Sequence, residues 1–100
     1  MHSIIWKFTI EKSNKAEFER HYGPNGSWAM FFRRSPEYVG TLLLRESTNE
    51  NVYFTIDTWQ SEKDFEQFKQ MYHDEYMELD KKMERLTVKE ELLGRFESVG

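Results

Sequence analysis

The sequence predicts an α+β fold in which helices cover one face of an antiparallel sheet, in the order β-α-β-β-α-β. Two kinds of periodicity support this prediction. Several short stretches alternate apolar and polar residues, which is typical of half-buried strands. One long stretch in the second half repeats apolar residues every three or four positions, which is typical of an amphipathic helix. Glycine, proline and polar residues separate these stretches and mark the turns between them.

The chain begins with a predicted strand over residues 3–10, and a helix follows it. Asn14 and Glu17 have the spacing of an N-cap and its N3 partner at the start of this helix. Gly23 and Pro24 are expected to end it, because glycine and proline commonly follow the last helical turn. The apolar face of the strand is formed by Ile4, Trp6, Phe8 and Ile10.

A second, short helix is predicted over residues 28–34, with Ser27 as its cap. Trp28, Phe31 and Phe32 place three aromatic side chains within five positions, directly after the break Gly-Pro-Asn-Gly. A single straight helix would carry these rings along the axis of the first helix. The break lets the second helix turn toward the rest of the fold, so we expect Trp28 to be buried and its neighbours to cover a cleft.

The second half of the chain is predicted to contain a hairpin, the longest helix and a last strand. Strands over residues 38–46 and 52–59 are joined by a polar turn, and Ser61 with Asp64 forms a capping box. Thr87 and Glu90 are expected to cap one more helical turn, and residues 92–99 to form the last strand, with Gly94 as either a bulge or a close packing point. The stripe of the long helix, roughly six turns in length, is Phe65, Phe68, Tyr72, Tyr76, Leu79, Met83 and Leu86. The whole chain, 1–100, is thus predicted to be one domain with the ferredoxin-like, split βαβ arrangement of four antiparallel strands.

The composition narrows the classes of function. The net charge is −4 with both signs interspersed, which gives no basic stripe for nucleic acid. There is no cysteine, so disulfides, thiolate nucleophiles and sulfur-ligated zinc are excluded. We find neither a signal peptide nor a stretch of ~20 apolar residues that would span a membrane, so we expect a cytoplasmic protein. Leu, Ile and Val supply only 15 residues against 16 aromatic ones, and this small aliphatic core leads us to expect a homodimer.

Four stretches resemble the antibiotic-biosynthesis-monooxygenase-like group of dimeric α/β barrels, and together they span nearly the whole chain. They are WKFTIEKSNKAEFERHYGPNGSW, SPEYVGTLLLRE, YFTIDTWQSEKDFEQF and LLGRFE. The third is the most characteristic, because an aromatic-rich strand ends in Trp and is followed by Ser and an amphipathic helix. The resemblance implies a dimer whose two sheets join into a barrel, with a ligand cavity between the sheet and the helices of each subunit.

The superfamily includes oxygenases that use no cofactor and act on polycyclic phenols and quinol-type compounds, and it also includes haem-degrading enzymes. The haem-degrading members have an Asn on the first strand, a His ligand on the long helix and a Trp one turn beyond the start of that helix. Here the first strand has no Asn, Phe68 occupies the Trp position, and His73 lies about a turn and a half too early. We therefore expect no haem, and the scattered His2, His21 and His73 predict no protein-bound metal either.

The resemblance and the aromatic excess together predict a cavity for a small aromatic or quinone-type molecule. The wall residues predicted from the helices and the first strand are Trp6, Tyr22, Trp28, Phe31, Phe32, Phe68 and Tyr76. The polar candidates for catalysis are His73, Tyr72 and Asp57, and histidine is the side chain best suited to act as a base near neutral pH. The charged residues 80–85 are interpreted as a solvated face.

Three hypotheses remain open at the level of the sequence. The first is an oxygenase that needs no cofactor and acts on a small aromatic or quinone-type substrate. The second is a dimer that binds small molecules, or takes part in a stress response, without catalysing a reaction. In the third, the aromatic side chains fill the interior completely and no cavity exists.

Overall fold

The computed structural model describes residues 1–100 and contains one four-stranded sheet with all four helices on one of its faces. The strands are β1 (His2–Ile10), β2 (Tyr38–Arg45), β3 (Val52–Trp59) and β4 (Thr87–Glu97). The helices are α1 (Lys15–Tyr22), α2 (Ser27–Phe32), α3 (Glu62–Met71) and α4 (His73–Met83). All neighbouring strands are antiparallel and their order is β2-β3-β1-β4, so the predicted ferredoxin-like arrangement is confirmed. None of the helices combines the length and the apolar character needed to cross a lipid bilayer.

The two central strands, β1 and β3, determine which face of the sheet carries the helices. The even-numbered residues of β1 point toward the helices, and Ile4, Phe8 and Ile10 among them are buried. On β3 the odd-numbered residues point the same way, because Ile4 pairs with Asp57 and Phe8 pairs with Tyr53. The side chains between them lie on the opposite face, which no element of this chain covers.

The core between the sheet and the helices is mainly aromatic. Phe18 of α1 is fully buried, and its ring lies 5.3 Å from Phe8, 4.2 Å from Tyr22 and 5.0 Å from Tyr53, centre to centre. Aromatic rings at these separations attract each other beyond the effect of their buried area. Many of the aromatic side chains in this sequence therefore pack against one another in the core.

The predicted single long helix is divided in the structure into α3 and α4. Tyr72 lies between them with φ −110° and ψ 33°, although hydrogen bonds of 2.9 Å continue across it from Tyr72 N to Phe68 O and from Tyr76 N to Tyr72 O. The result is a bend that no Gly or Pro marks in the sequence. Because of this bend α3 packs over Trp59, whereas α4 contributes side chains to a different part of the sheet.

Two further predictions at element ends are wrong. Thr87 begins β4 and does not cap a helical turn, since β4 pairs with β1 from Thr87 onward. Ser27 is the first residue of α2 and not its cap, and its hydroxyl is hydrogen-bonded to His21 Nδ1 at 2.6 Å. The predicted bulge at Gly94 is confirmed, because the β1–β4 register shifts between the Ile5–Gly94 and Trp6–Leu92 pairs.

Candidate functional site

A cavity of about 250 Å³ lies between the helix-covered face of the sheet and the helices α1, α2 and α4. Its walls are largely aromatic, and its remaining lining consists of threonines, three carboxyl groups, one lysine and one methionine. The hypothesis of a completely filled interior is therefore wrong. The aromatic lining residues are Trp6, Phe8, Tyr22, Trp28, Phe32 and Tyr76.

The break between α1 and α2 places Trp28 at this cavity. Gly23 ends α1, and the chain then passes so close to α1 that a Cβ at Gly26 would lie 2.4 Å from the His21 carbonyl oxygen. Only glycine fits such an approach. Arg33 holds the turn from the other side, donating to Pro24 O at 2.8 Å and to Asn25 Oδ1 at 2.9 Å.

Trp28 itself is 9% exposed, as the sequence predicted. Its ring centre lies 5.6 Å from Phe32, 6.4 Å from Tyr22 and 5.3 Å from Tyr76, so it connects α1, α2 and α4 across the top of the cavity. Its indole nitrogen has no hydrogen-bond partner.

The sheet supplies small polar side chains opposite these rings. Asp57 lines the cavity, and its Oδ1 accepts a hydrogen bond of 2.6 Å from the hydroxyl of Thr41. The Thr41 hydroxyl in turn accepts from the hydroxyl of Tyr38, because its own proton is already donated to Asp57. Burial raises the pKa of Asp57 from 3.8 to about 6, and the hydrogen bond from Thr41 opposes part of this rise.

A cluster of charged side chains borders another part of the cavity. It consists of Asp80 from α4, Glu90 from β4 and Lys69 from α3. Burial raises the pKa of both Asp80 and Glu90, and the negative charge of Asp80 adds to the rise at Glu90. Both charges also act on Tyr22, whose hydroxyl has a raised pKa mainly because it is buried. The two carboxyl groups and Tyr22 therefore interact electrostatically with one another.

Five of the seven predicted wall residues line the cavity: Trp6, Tyr22, Trp28, Phe32 and Tyr76. The other two, Phe31 and Phe68, are buried beside it and support the wall residues from behind. Phe31 lies 6.4 Å from Trp28 and 5.0 Å from Phe68, centre to centre. Phe68 lies 5.7 Å from Phe32.

The three predicted catalytic candidates lie in very different places. Asp57 faces the cavity, whereas Tyr72 packs outside it against Phe31 and Phe68. His73 is the first residue of α4, and its side chain is 65% exposed next to Asp74. The structure therefore brings one of the three candidates, Asp57, to the cavity.

Sequence reasoning missed seven lining residues, namely Phe8, Thr41, Thr55, Lys69, Met77, Asp80 and Glu90. Asp80 was assigned to a solvated face; its side chain is exposed, as that interpretation expects, and it also borders the cavity. The Tyr38–Thr41–Asp57 chain was missed because two residues three apart on a regular strand point to opposite faces. The register of β2 shifts between Tyr38 and Gly40, and this shift places Tyr38 and Thr41 on the same face.

One group of side chains has the spacing of metal ligands, namely His2, Glu62 and Glu97, whose ligand atoms lie within 4.8 Å of one another. None of the three lines the cavity. His2 Nδ1 is hydrogen-bonded to Glu97 Oε1 at 2.7 Å, and this bond already accounts for the proximity of two of them. We assign no ion to this group.

No protein-family model and no curated protein matches the sequence. Solved structures do match the fold. A point mutant of SnoaB, a cofactor-independent oxygenase from Streptomyces nogalater, is 26% identical with a TM-score of 0.79, and the alignment covers 97% of this chain and 91% of that one. A second SnoaB structure is 22% identical with a TM-score of 0.72, covering 99% and 93%. A protein from Deinococcus radiodurans, provisionally named an antibiotic biosynthesis monooxygenase, has a TM-score of 0.78 at 8% identity, covering 100% and 94%.

This chain thus has the α+β fold of solved structures that are named as a cofactor-independent oxygenase and as antibiotic biosynthesis monooxygenases. The resemblance that the four sequence stretches indicated is confirmed in the structure by these neighbours, which match over nearly their whole length.

Proposed function

We propose that this protein is a cofactor-independent oxygenase that acts on a small aromatic or quinone-type molecule bound in the cavity, with Asp57 as the general base. The observation that carries the proposal is one carboxyl group, Asp57, held by Thr41 on the floor of an aromatic cavity. The name of SnoaB, a cofactor-independent oxygenase, supports the same class of reaction.

The size and lining of the cavity favour a flat, compact substrate. Its volume of about 250 Å³ is slightly smaller than most small-molecule sites, which range over roughly 300–1,000 Å³. The rings of Trp28, Tyr22 and Tyr76 offer faces and edges to a planar ligand. We therefore expect a substrate of two or three fused rings.

The reaction needs a substrate that supplies its own electrons. A CH₂ group between an aromatic ring and a carbonyl loses a proton to the base, and the resulting carbanion gives one electron to O₂. The two radicals combine to a peroxide, and loss of water leaves a ketone. One oxygen atom enters the product, the other leaves as water, and the substrate provides every electron that is needed.

Asp57 has the properties that the first step requires. With a pKa of about 6 it is mostly ionised at neutral pH, yet it is a stronger base than an ordinary carboxylate. Thr41 orients the carboxylate by donating to Oδ1, and no protein group donates to Oδ2. The second oxygen is therefore free to accept the proton of the substrate.

We also propose that the protein forms a homodimer through the uncovered face of the sheet. This face carries Ile5, Leu42, Leu44, Phe54, Ile56 and Phe96, of which Leu42 is 57% and Phe96 48% exposed. An apolar face of this kind is typical of a surface that another protein covers. A second copy of the same sheet supplies a matching face, in agreement with the barrel that the family resemblance implies.

Sedimentation equilibrium tests the dimer with two matched variants. Ile56→Glu places a charge at the centre of the uncovered face, and we expect a folded monomer. Met71→Glu adds the same charge on the helix side at a residue that is 74% exposed, and we expect the mass to stay that of a dimer. A wild-type protein that sediments as a monomer would contradict this proposal.

Oxygen uptake tests the proposed reaction. The purified protein is incubated with hydroxyanthrones and with smaller two-ring ketones that carry a CH₂ group between the aromatic ring and the carbonyl, and uptake is compared with the uncatalysed rate. Turnover is expected in the wild type and in His73→Gln, since His73 lies outside the cavity, but should fall by about a hundredfold or more in Asp57→Asn. Ligands that bind and emerge unchanged would contradict the proposal and favour a protein that only binds small molecules.

A further inference from the structure

Three carboxyl groups line the cavity, and none of them has a basic partner within ion-pair distance. Other carboxylates of this protein do have such partners, for example Glu17 with Arg85 at 2.5 Å and Glu66 with Arg95 at 2.6 Å. Asp57 receives only the hydroxyl of Thr41, and Glu90 only that of Thr87. Asp80 has no hydrogen bond from a side chain and is influenced by Lys69 only at longer range. The cavity therefore contains more negative charge than its own basic groups neutralise.

The only basic side chain at the cavity is already used against aromatic rings. The Nζ of Lys69 lies 5.2 Å from the centre of the Tyr76 ring and 5.9 Å from that of Phe65. A cation within about 6 Å of a ring centre is attracted by the negative face of the ring. This contact shows that the ring of Tyr76 already attracts one cation, and it places Lys69 at the border of the cavity.

The remaining lining combines the two features that attract an organic cation. The rings of Trp28, Tyr22 and Tyr76 surround the space, and ring faces attract ammonium groups more strongly when water is excluded. Asp80 and Glu90 add negative charge near Tyr22, while the charges of Asp57 and Asp80 both act on Tyr76. An ammonium group in this space would share the cavity with all three carboxyl groups.

We propose that the cavity selects a molecule that carries a positively charged nitrogen on a small aromatic body, such as a protonated arylalkylamine. The proposal concerns binding and shares its cavity with the proposed oxygenase. The further conclusion that the substrate of the oxygenase is itself a cation rests on the proposed function.

A cationic substrate also removes a difficulty in the chemistry. Proton loss from a neutral phenol or ketone creates a negative charge, and the nearby charges of Asp80 and Glu90 would oppose it. A substrate with its own ammonium group becomes a zwitterion on proton loss, and its positive end remains against the two carboxylates. The acidic border of the cavity then favours the reaction instead of opposing it.

Three naphthalene probes that differ mainly in charge test the selectivity by isothermal titration calorimetry at pH 7.5. They are 1-naphthylmethylamine, which is a cation, 1-naphthylmethanol, which is neutral, and 1-naphthoate, which is an anion. We expect the amine to bind about tenfold more tightly than the alcohol, and the anion to bind most weakly.

A pair of double variants shows whether the carboxylates cause this preference. Asp80→Asn/Glu90→Gln removes two charges at the cavity, and we expect it to reduce the preference for the amine over the alcohol to about twofold or less. Asp74→Asn/Glu78→Gln removes two charges from α4 outside the cavity lining and should leave the preference unchanged. Should the first double variant fail to fold, Asp80→Asn alone gives the same comparison with a smaller change.

Equal or tighter binding of the alcohol or the anion would overturn the inference, and so would failure of all three probes to bind at millimolar concentration. A preference for the amine that persists in Asp80→Asn/Glu90→Gln would also overturn it. Failure of the proposed reaction is a separate result. Selective binding of the amine without oxygen uptake from any substrate would contradict the oxygenase only, whereas oxygen uptake from neutral ketones without selectivity would contradict the cation preference only.

Discussion

The aromatic layer between sheet and helices is closed around Trp59 and open around Trp28. At the closed end, Trp59 is fully buried and its ring lies 5.4 Å from Phe65 and 5.2 Å from Phe68. At the open end, the rings of Trp28 and Tyr76 face a cavity of about 250 Å³. The same residue types thus produce a packed core and a binding site within one layer.

The difference between the two ends comes from the sheet. At the closed end a large ring, Trp59, projects from β3 and fills the space beneath α3. At the open end β1 contributes Trp6 and Phe8, but β2 and β3 contribute only Thr41, Thr55 and Asp57, which are too small to reach the rings on the other side. A cavity therefore forms where aromatic side chains of the helices face small polar side chains of β2 and β3.

Truncation at the closed end should have the largest effect on stability. Phe68→Ala leaves a void among well-packed rings, and we expect the free energy of unfolding to fall by about 3–5 kcal/mol. At the open end Tyr76→Ala only enlarges an existing cavity, so roughly half that loss is expected. Urea denaturation of both variants measures the difference, and equal losses would show that the two ends are packed alike.

Removal of the negative charge of Asp57 should increase the free energy of unfolding, in contrast to the two truncations. The raised pKa of Asp57 means that the folded protein disfavours the ionised carboxylate. The ionised carboxylate therefore destabilises the fold, and this destabilisation develops as the pH rises from about 4 to 6 and is complete above pH 6. Asp57→Asn should therefore stabilise the fold by on the order of 2–3 kcal/mol at pH 7 and by nearly nothing at pH 3.5.

Denaturation of wild type and Asp57→Asn across this pH range measures the effect. If Asp57→Asn were less stable than the wild type at pH 7, the ionised carboxylate would stabilise the fold, and the prediction would be wrong. Glu11→Gln, at an exposed residue, serves as the control and should change stability little at either pH.

Arg33→Ala should have the smallest effect on stability and a clearer one on the cavity. Arg33 holds the turn between α1 and α2 through exposed hydrogen bonds, so we expect a loss of about 1 kcal/mol or less. Because that turn determines where Trp28 lies, the fluorescence of Trp28 and the affinity for naphthalene probes should change more than the stability does. An unchanged affinity would mean that the packing of Trp28 alone determines its position in the cavity wall, without a contribution from Arg33.

The fold was largely predictable from the sequence because its signals are local. The alternation over residues 52–59 gave β3 its observed bounds, and the capping box was confirmed by the 3.1 Å hydrogen bond from Asp64 N to Ser61 Oγ. The break at Gly23–Gly26 was predicted for the same reason, since glycine and proline mark it directly in the sequence.

The polar part of the site depends on features that have no local signal. The shift in the register of β2 brings Tyr38 and Thr41 to one face, and it results from pairing with β3. The bend at Tyr72, which divides the long helix, occurs without Gly or Pro. The preference for His73 as the base rested on the usual pKa of histidine, but its position at the start of α4 leaves it in solvent.

The pH dependence of kcat/KM tests the central claim, that the Asp57 carboxylate accepts the proton of the substrate. Because the base must be ionised, the wild-type rate should rise with pH through an apparent pKa of about 6. Loss of the Thr41 hydrogen bond in Thr41→Val should move this limb to higher pH, and Asp57→Asn should abolish it. A wild-type profile that is flat between about pH 5 and 8 would contradict the account. An unchanged rise with pH in Asp57→Asn would contradict it as well.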